Sequence, residues 1–303
     1  MQVTTYHPFL SEKAKARYLE FNDERAKNWP VPCECRTVET SRGRTFMRIS
    51  GPPGAPPLVL LPGGGTHSLM WIPNIAGLSG PYRTYALDSI HDVGRSANLL
   101  PVKSVEDLTA WLDELFDALA LGPGLRLMGL SHGAWLAANY AQRHPARVAK
   151  LVLLAPAGWV LQLSPAMLFT MMQVLLLPRR YFIRRTYAWS LPDLVASGAP
   201  GQRIIAEMTE DFARAFECLG MRRMVRILEP KVATDEEIQA LRMPTLFVIG
   251  ERERIYSSRD ALARLERVHP AMERAVIPGA GHDMTWLKPD VVNAAVLEFL
   301  ARP

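Results

Sequence analysis

The sequence predicts an α/β protein with a mostly parallel central sheet, helices on both faces and a helical insertion. Three observations carry this. Short apolar runs alternate with amphipathic stretches from Pro57 to Ala155 and again from Thr245 to Leu300, the pattern of strands linked by crossover helices. The pentapeptide Gly129-Leu130-Ser131-His132-Gly133 sits where one such strand hands over to a helix. Residues 158–240 break the alternation, with helix-like stretches and no convincing buried strand.

Taken in order, residues 8–28 read as a helix that Trp29-Pro30 ends. Cys35–Thr40 and Thr45–Ser50 form a hairpin around a Ser-Arg-Gly turn. Pro57–Leu61 is apolar throughout, as in a strand buried on both faces, and runs into Pro62-Gly63-Gly64-Gly65. Tyr82–Leu87 is a further short strand. Val105–Leu119 is an amphipathic helix with Ser104 placed to cap it. Leu125–Leu130 is a strand, His132–Arg143 a helix stopped by His144-Pro145, and Lys150–Ala155 a strand. After the insertion come a strand at Thr245–Ile249, a helix at Ala261–Val268, a strand at Glu273–Ile277 and a closing helix at Pro289–Leu300. The expected organisation is a core of residues 1–157 and 241–303, including an N-terminal helical extension of 1–34, with 158–240 as a helical cap.

Composition excludes several classes. About half of the 303 residues are apolar, enough for a large core and against disorder. A net charge of +5, spread along the chain, lacks the dense basic stripe of a nucleic-acid binder. Three cysteines, Cys33, Cys35 and Cys218, make no disulfide framework or metal pattern and fit a reduced, cytoplasmic protein. The N-terminus has no apolar stretch of signal-peptide type. The longest uncharged run, Leu151–Pro178, is interrupted by Pro156 and Pro165 and by polar residues, so stable membrane insertion is not expected.

Gly-x-Ser-x-Gly arises by chance in roughly one chain in ten of this length. The strand before it and the helix after it give the match its weight. A serine in so tight a turn stands above the sheet, and bulky neighbours two residues away would clash. The helix that follows aims its amides at the place where negative charge develops.

A serine hydroxyl needs a base. His282, in the Gly279-Ala280-Gly281-His282 loop after the last strand, opens at the same sheet edge as Ser131. His7, His91, His144 and His269 lie in stretches that read as surface loops or helix ends. His67 and His132 are near the site, in positions suited to backbone roles. The base needs an acid to fix its tautomer. Glu251 and Glu253 both follow the Thr245–Ile249 strand and both satisfy the order serine, acid, histidine. Glu251 is placed to pack or cap, and Glu253 reaches further toward His282. The strand ending Leu154-Ala155-Pro156-Ala157-Gly158 carries no carboxylate. The Gly63-Gly64-Gly65 loop lacks the lysine of a Walker loop and the spacing of a dinucleotide fingerprint. With the amide of His132, the amide of Gly64 is the expected oxyanion donor.

These motifs resemble the α/β-hydrolase superfamily over nearly the whole chain. The matching pieces are Leu60-Leu61-Pro62-Gly63-Gly64-Gly65, Gly129-Leu130-Ser131-His132-Gly133, Gly250-Glu251-Arg252-Glu253 and Gly279-Ala280-Gly281-His282. Within it the chain most resembles the carboxylesterase NP (naproxen esterase) type. Trp71-Ile72-Pro73-Asn74-Ile75-Ala76, Tyr82–Asp88 and Gly250-Glu251-Arg252-Glu253-Arg254-Ile255-Tyr256 carry this likeness. That type is similar in using glutamate where most relatives have aspartate. The chain departs from many relatives in having Pro62-Gly63 for His-Gly, Ala134 for a glycine, and His132 for a smaller residue. The resemblance implies ester hydrolysis with no metal and no organic cofactor.

The expected function is therefore cleavage of apolar acyl or aryl carboxylic esters through Ser131, His282 and Glu253. The same parts serve lactonases, carbon–carbon bond hydrolases, acyltransferases and cofactor-free perhydrolases, and a small-molecule receptor can keep them with little turnover. Dehalogenases and epoxide hydrolases place an aspartate where this chain has Ser131. Met167, Met171 and Met172 are expected to line the pocket, since methionine fills irregular apolar space; ordinary cap packing is the plainer reading for any one of them. Arg179, Arg180, Arg184 and Arg185 form the densest basic cluster. A solvated helix face is its plain reading, an anionic substrate or lipid head the other. The partner is a small-molecule ester, with a homodimer left open.

Overall fold

The computed structural model describes residues 9–219 and 230–302. His7, Met221 and Met224 lie outside them. Strands β1 (Glu34–Thr40), β2 (Gly43–Ser50), β3 (Pro57–Leu61), β4 (Arg83–Leu87), β5 (Ala97–Asn98), β6 (Leu125–Leu130), β7 (Val148–Leu154), β8 (Thr245–Gly250) and β9 (Glu273–Ile277) form one sheet in the order β1-β2-β4-β3-β6-β7-β8-β9, with β5 paired to β2. The pairs among β4, β3, β6, β7, β8 and β9 are parallel, while β2 runs antiparallel to β1, β4 and β5. This is the α/β-hydrolase fold, and Ser131, His282 and Glu253 all follow the C-terminal ends of parallel strands, where such sheets gather their ligands.

The strand sequences explain why the sheet is covered on both faces. In β3, Val59 and Leu61 pack into one core and Leu58 and Leu60 into the other. In β7, Leu151 and Leu153 alternate in the same way with Val152 and Leu154. A side chain switches face at every residue of a strand, so a run that is apolar throughout needs helices on both sides. Helices α3 (Val105–Ala118) and α4 (His132–Arg143) supply one cover through Leu108, Trp111, Leu115 and Leu136. Helix α2 (Ile72–Leu78) and the closing Pro289–Ala301 helix supply the other through Ile75, Leu78, Val292, Val296 and Phe299. Each leucine or valine so buried contributes about 1.5–3 kcal/mol. Ser104 starts α3 as expected, in a capping box with Asp107, which stabilises the helix by about 1 kcal/mol.

Between β7 and β8 lie α5 (Pro165–Leu176), α6 (Arg180–Ser190), α7 (Pro192–Ala196) and α8 (Ala199–Leu219), followed by α9 (Asp235–Gln239). Helix α1 (Glu12–Ala26) is shorter than residues 8–28, because Ser11 caps it by accepting from the Ala14 amide. It is also more than an extension. Its Tyr18 is fully buried in a cluster with Val174, Ile183, Ala213 and Phe216 of the inserted helices. The short turn Ser68–Trp71, helix α2 and strand β5 had no counterpart in the sequence expectations.

Candidate active site

Ser131 joins β6 to α4 with φ 55° and ψ −119°, a conformation that side-chain-bearing residues adopt at a cost of about 1–3 kcal/mol. The backbone holds it there. The Ser131 amide donates to Leu154 O at 2.9 Å, and its carbonyl accepts from Trp135 N at 3.0 Å and Ala157 N at 3.2 Å. The two flanking glycines are required by space. A Cβ on Gly129 would stand 2.3 Å from the Gly133 carbonyl, and one on Gly133 would stand 2.4 Å from the carbonyl oxygens of Leu61 and Pro62. Gly133→Ala is therefore expected to lose about 3 kcal/mol, seen in a thermal melt as a fall of roughly 6 °C in midpoint; an unchanged melt would show that the elbow relaxes freely.

His282 lies in the loop after β9. Its Nδ1 is 2.9 Å from Glu253 Oε2. The Glu253 side chain is fully buried, and its other oxygen accepts from the amides of Arg254 at 2.8 Å and Ile255 at 3.0 Å. The carboxylate is thus fixed in place by its loop, and it fixes in turn the tautomer with a proton on His282 Nδ1, leaving Nε2 as the basic atom. Burial works against an imidazolium at His282, but the facing Glu253 carboxylate outweighs it, with Asp283 adding, so the ring ionises above its ordinary value of 6.5. Glu251 is occupied elsewhere: its Oε2 accepts from the Gly279 amide at 2.8 Å, bracing the histidine loop from outside.

Ser131, His282, Gly63, Gly64 and Gly65 line one pocket of about 160 Å³. The glycine loop lies against the elbow, with Gly63 facing Ser131 Cβ and Gly64 facing His132 Cβ. The Gly63 amide points at Met70 Sδ, 3.1 Å away, and the Gly65 amide donates to Asp92 Oδ2 at 2.8 Å. Gly64 is the glycine between these two committed amides. Behind the loop, the buried Asp88 accepts from Ser68 Oγ at 2.5 Å and Ser68 N at 2.9 Å, and Arg48 donates to Ser68 Oγ at 2.5 Å.

The inserted helices roof the pocket with Met167, Tyr187, Leu191 and Met208, and Trp286 closes one side. Of the three methionines expected here, Met167 is in place. Met171 and Met172 are not: they are 42% and 56% exposed on the outer side of α5. That helix buries Thr170 and Val174, which with Met167 make an i, i+3, i+7 stripe. Residue 172 falls opposite that stripe, and 171 falls at its edge.

Four features lie beyond the sequence expectations. His67 does more than its backbone position suggests. Its Nδ1 accepts from the Leu69 amide at 3.4 Å and its Nε2 is 2.9 Å from Asp211 Oδ2 of α8. Arg25 of α1 donates to the same Asp211 oxygen. Burial alone would raise the Asp211 carboxyl, but His67 and Arg25 hold it below its ordinary value. All three line the pocket, tying the glycine loop, the N-terminal helix and the insertion together. Asp283, next to His282, accepts from Leu194 N of α7 at 2.7 Å and from Gly281 N at 3.0 Å. Fourth, His91 is buried, not on a surface loop: it is 4% exposed, its Nδ1 is 2.6 Å from Ser89 Oγ, and its ring lies 5.2 Å from that of His132. No sequence pattern marks the links from Asp211 to His67 and Arg25 or from Asp283 to Leu194, because those partners are distant in the chain. Among the described residues no group of three or more His, Cys, Asp or Glu side chains is arranged to hold a metal.

A sheet of this topology, a serine in a strained strand–helix turn and a histidine–carboxylate pair at one pocket define a hydrolase class. The chain belongs to the alpha/beta hydrolase family, whose model matches residues 58–295. It is similar to carboxylesterase YbfK of Bacillus subtilis, at 29% identity covering 96% of each chain. It is 33% identical to the carboxylesterase nap of the same organism, over 96% of this chain and 94% of that one. The crystal structure of naproxen esterase (carboxylesterase NP) from Bacillus subtilis superposes with a TM-score of 0.84 at 31% identity, covering 96% of this chain and 99% of that one. The chain is thus an α/β hydrolase related to carboxylesterases at about 30% identity over its full length.

Proposed function

We propose that this protein is a serine carboxylesterase that cleaves small apolar acyl or aryl esters through an acyl-enzyme. The observation that carries this reading is the His282 Nδ1–Glu253 Oε2 bond of 2.9 Å in a loop that lines the same pocket as Ser131. His282 Nε2 takes the Ser131 proton as Oγ attacks the ester carbonyl. Glu253 stabilises the imidazolium that forms. The amides of Gly64 and His132 hold the oxyanion, since the neighbouring Gly63 and Gly65 amides are directed to Met70 and Asp92. His282 then returns the proton to the leaving alcohol, and water, deprotonated by the same base, releases the acid.

In this reading residues 158–240 are a cap over the core of 1–157 and 241–303, and Met167 is a substrate-contacting residue. The pocket is smaller than the roughly 300–1,000 Å³ that buries a drug-sized ligand. The test is hydrolysis of p-nitrophenyl esters from acetate to laurate. The expected optimum is at acetate to butyrate, with Met167→Ala moving it to longer chains. No turnover of any ester by the folded protein would overturn the esterase reading. Glu251→Ala is the control for the acid assignment: kcat is expected to stay within about threefold of wild type, because Glu251 serves the Gly279 amide. A collapse of kcat with Glu251→Ala would transfer the role from Glu253.

A further inference from the structure

The outer side of the insertion is unlike the rest of the surface. Among the described residues eleven large apolar side chains are exposed, and seven of them lie between 168 and 181. Phe169 is 61% exposed, Leu176 70% and Tyr181 68%. Single exposed apolar residues are ordinary, but a contiguous set marks a surface that meets something else. Helix α5 gives its inner stripe to Thr170 and Val174 and turns almost only apolar groups to solvent.

Within its own segment the charge beside this face is all basic, and the carboxylates nearby come from α8. Arg179, Arg180, Arg184 and Arg185 follow directly, and the chain has no carboxylate from 118 to 192. Arg180 is paired to Glu210 and Glu217 of α8, and Arg184 donates to Gln202. Arg179 and Arg185 are exposed and have no carboxylate partner among the described residues. A second copy of the chain is a poor occupant. A twofold contact brings a surface against itself, so each arginine cluster would approach its own image with no carboxylate from the segment between them. No helix among the described residues is long and apolar enough to cross a membrane, and α5, at 12 residues, is short of the roughly 20 a spanning helix needs.

We propose that α5 and the first two turns of α6 dock the protein on an anionic phospholipid surface. Phe169, Met172, Leu176 and Tyr181 enter the boundary between headgroups and acyl chains, and Arg179 and Arg185 reach the lipid phosphates. Met167 lines the pocket from the same helix, and Thr186 and Tyr187 from α6, so docking by this face would bring the roof of the pocket to the lipid. The proposal stands on exposure and charge and does not depend on the esterase reading.

Co-sedimentation with vesicles tests it. One set is phosphatidylcholine with 30% phosphatidylglycerol and the other phosphatidylcholine alone, each with wild type, Phe169→Ser/Leu176→Ser and Arg179→Ala/Arg185→Ala. The wild type is expected to pellet with the anionic vesicles. The apolar double variant should lose at least tenfold of the partitioning. The arginine variant, and the uncharged vesicles, should each lose several-fold. Unchanged circular dichroism and thermal midpoint would show both variants folded. A wild type that stays in the supernatant with both sets would overturn the proposal, as would a Phe169→Ser/Leu176→Ser variant that pellets like wild type. So would sedimentation velocity showing a wild-type dimer that this variant dissolves, since the face would then join two copies of the chain.

Discussion

Ser131→Ala is expected to lower kcat on p-nitrophenyl butyrate by about 10⁶-fold, the scale found when the nucleophile of a serine hydrolase is removed. The fold should survive the change. Alanine keeps the Cβ that the elbow already accommodates, and the amide and carbonyl bonds of residue 131 to Leu154, Trp135 and Ala157 are all backbone. A thermal midpoint within a few degrees of wild type would accompany the lost turnover. Residual hydrolysis should remain above the uncatalysed rate, because the oxyanion donors and the pocket stay in place. A loss of only tenfold would mean that another group attacks the ester.

Glu253→Gln is expected to cost about three to four orders of magnitude in kcat, and its pH dependence separates charge from packing. In the wild type the Glu253 carboxylate outweighs burial and raises the His282 ionisation above 6.5. A base works only when neutral, so the acid limb of the kcat/KM profile should lie above 6.5. Glutamine keeps the volume and removes the charge. Burial then dominates, the imidazolium is disfavoured, and the limb of the residual activity should fall below its wild-type position. A glutamine variant whose activity drops with the limb unmoved would show that Glu253 orients His282 without acting on its charge. The sign matters for the choice of assay: wild type and variant compared only at low pH would understate the loss, because the wild-type base is protonated there.

The elements readable in the sequence are those fixed by short-range chemistry. Pro57–Leu61 is a strand because an all-apolar pentapeptide ending in Pro-Gly-Gly-Gly has few other places to go. Ser104 starts a helix because its hydroxyl and Asp107 complete a capping box within four residues. The elbow was legible because Gly129 and Gly133 answer a steric demand within five residues. The two glutamates after β8 differ in their contacts: two consecutive amides bind one Glu253 oxygen and leave the other to His282, while Glu251 accepts from the Gly279 amide.

What the sequence concealed is set by contacts between distant segments. The Arg25–Asp211–His67 cluster joins residues 144 and 186 positions apart, and a lone Asp on an inserted helix gives no sign of its partners. Met171 and Met172 were misplaced for a different reason. Helix α5 is apolar nearly all round, so periodicity could not say which side faced the pocket. The two-residue strand β5 is too short to show any period, and it is held by its pairing with β2.

The central claim is that Ser131 is the nucleophile of an acyl-enzyme, and labelling with a fluorophosphonate followed by intact-mass and peptide mass spectrometry tests it most directly. The expected result is one adduct per chain, on the peptide carrying Ser131, with loss of esterase activity in proportion to labelling and no adduct on Ser131→Ala. A protein that hydrolyses esters yet takes no label at Ser131, or loses its activity through a label elsewhere, would contradict the account.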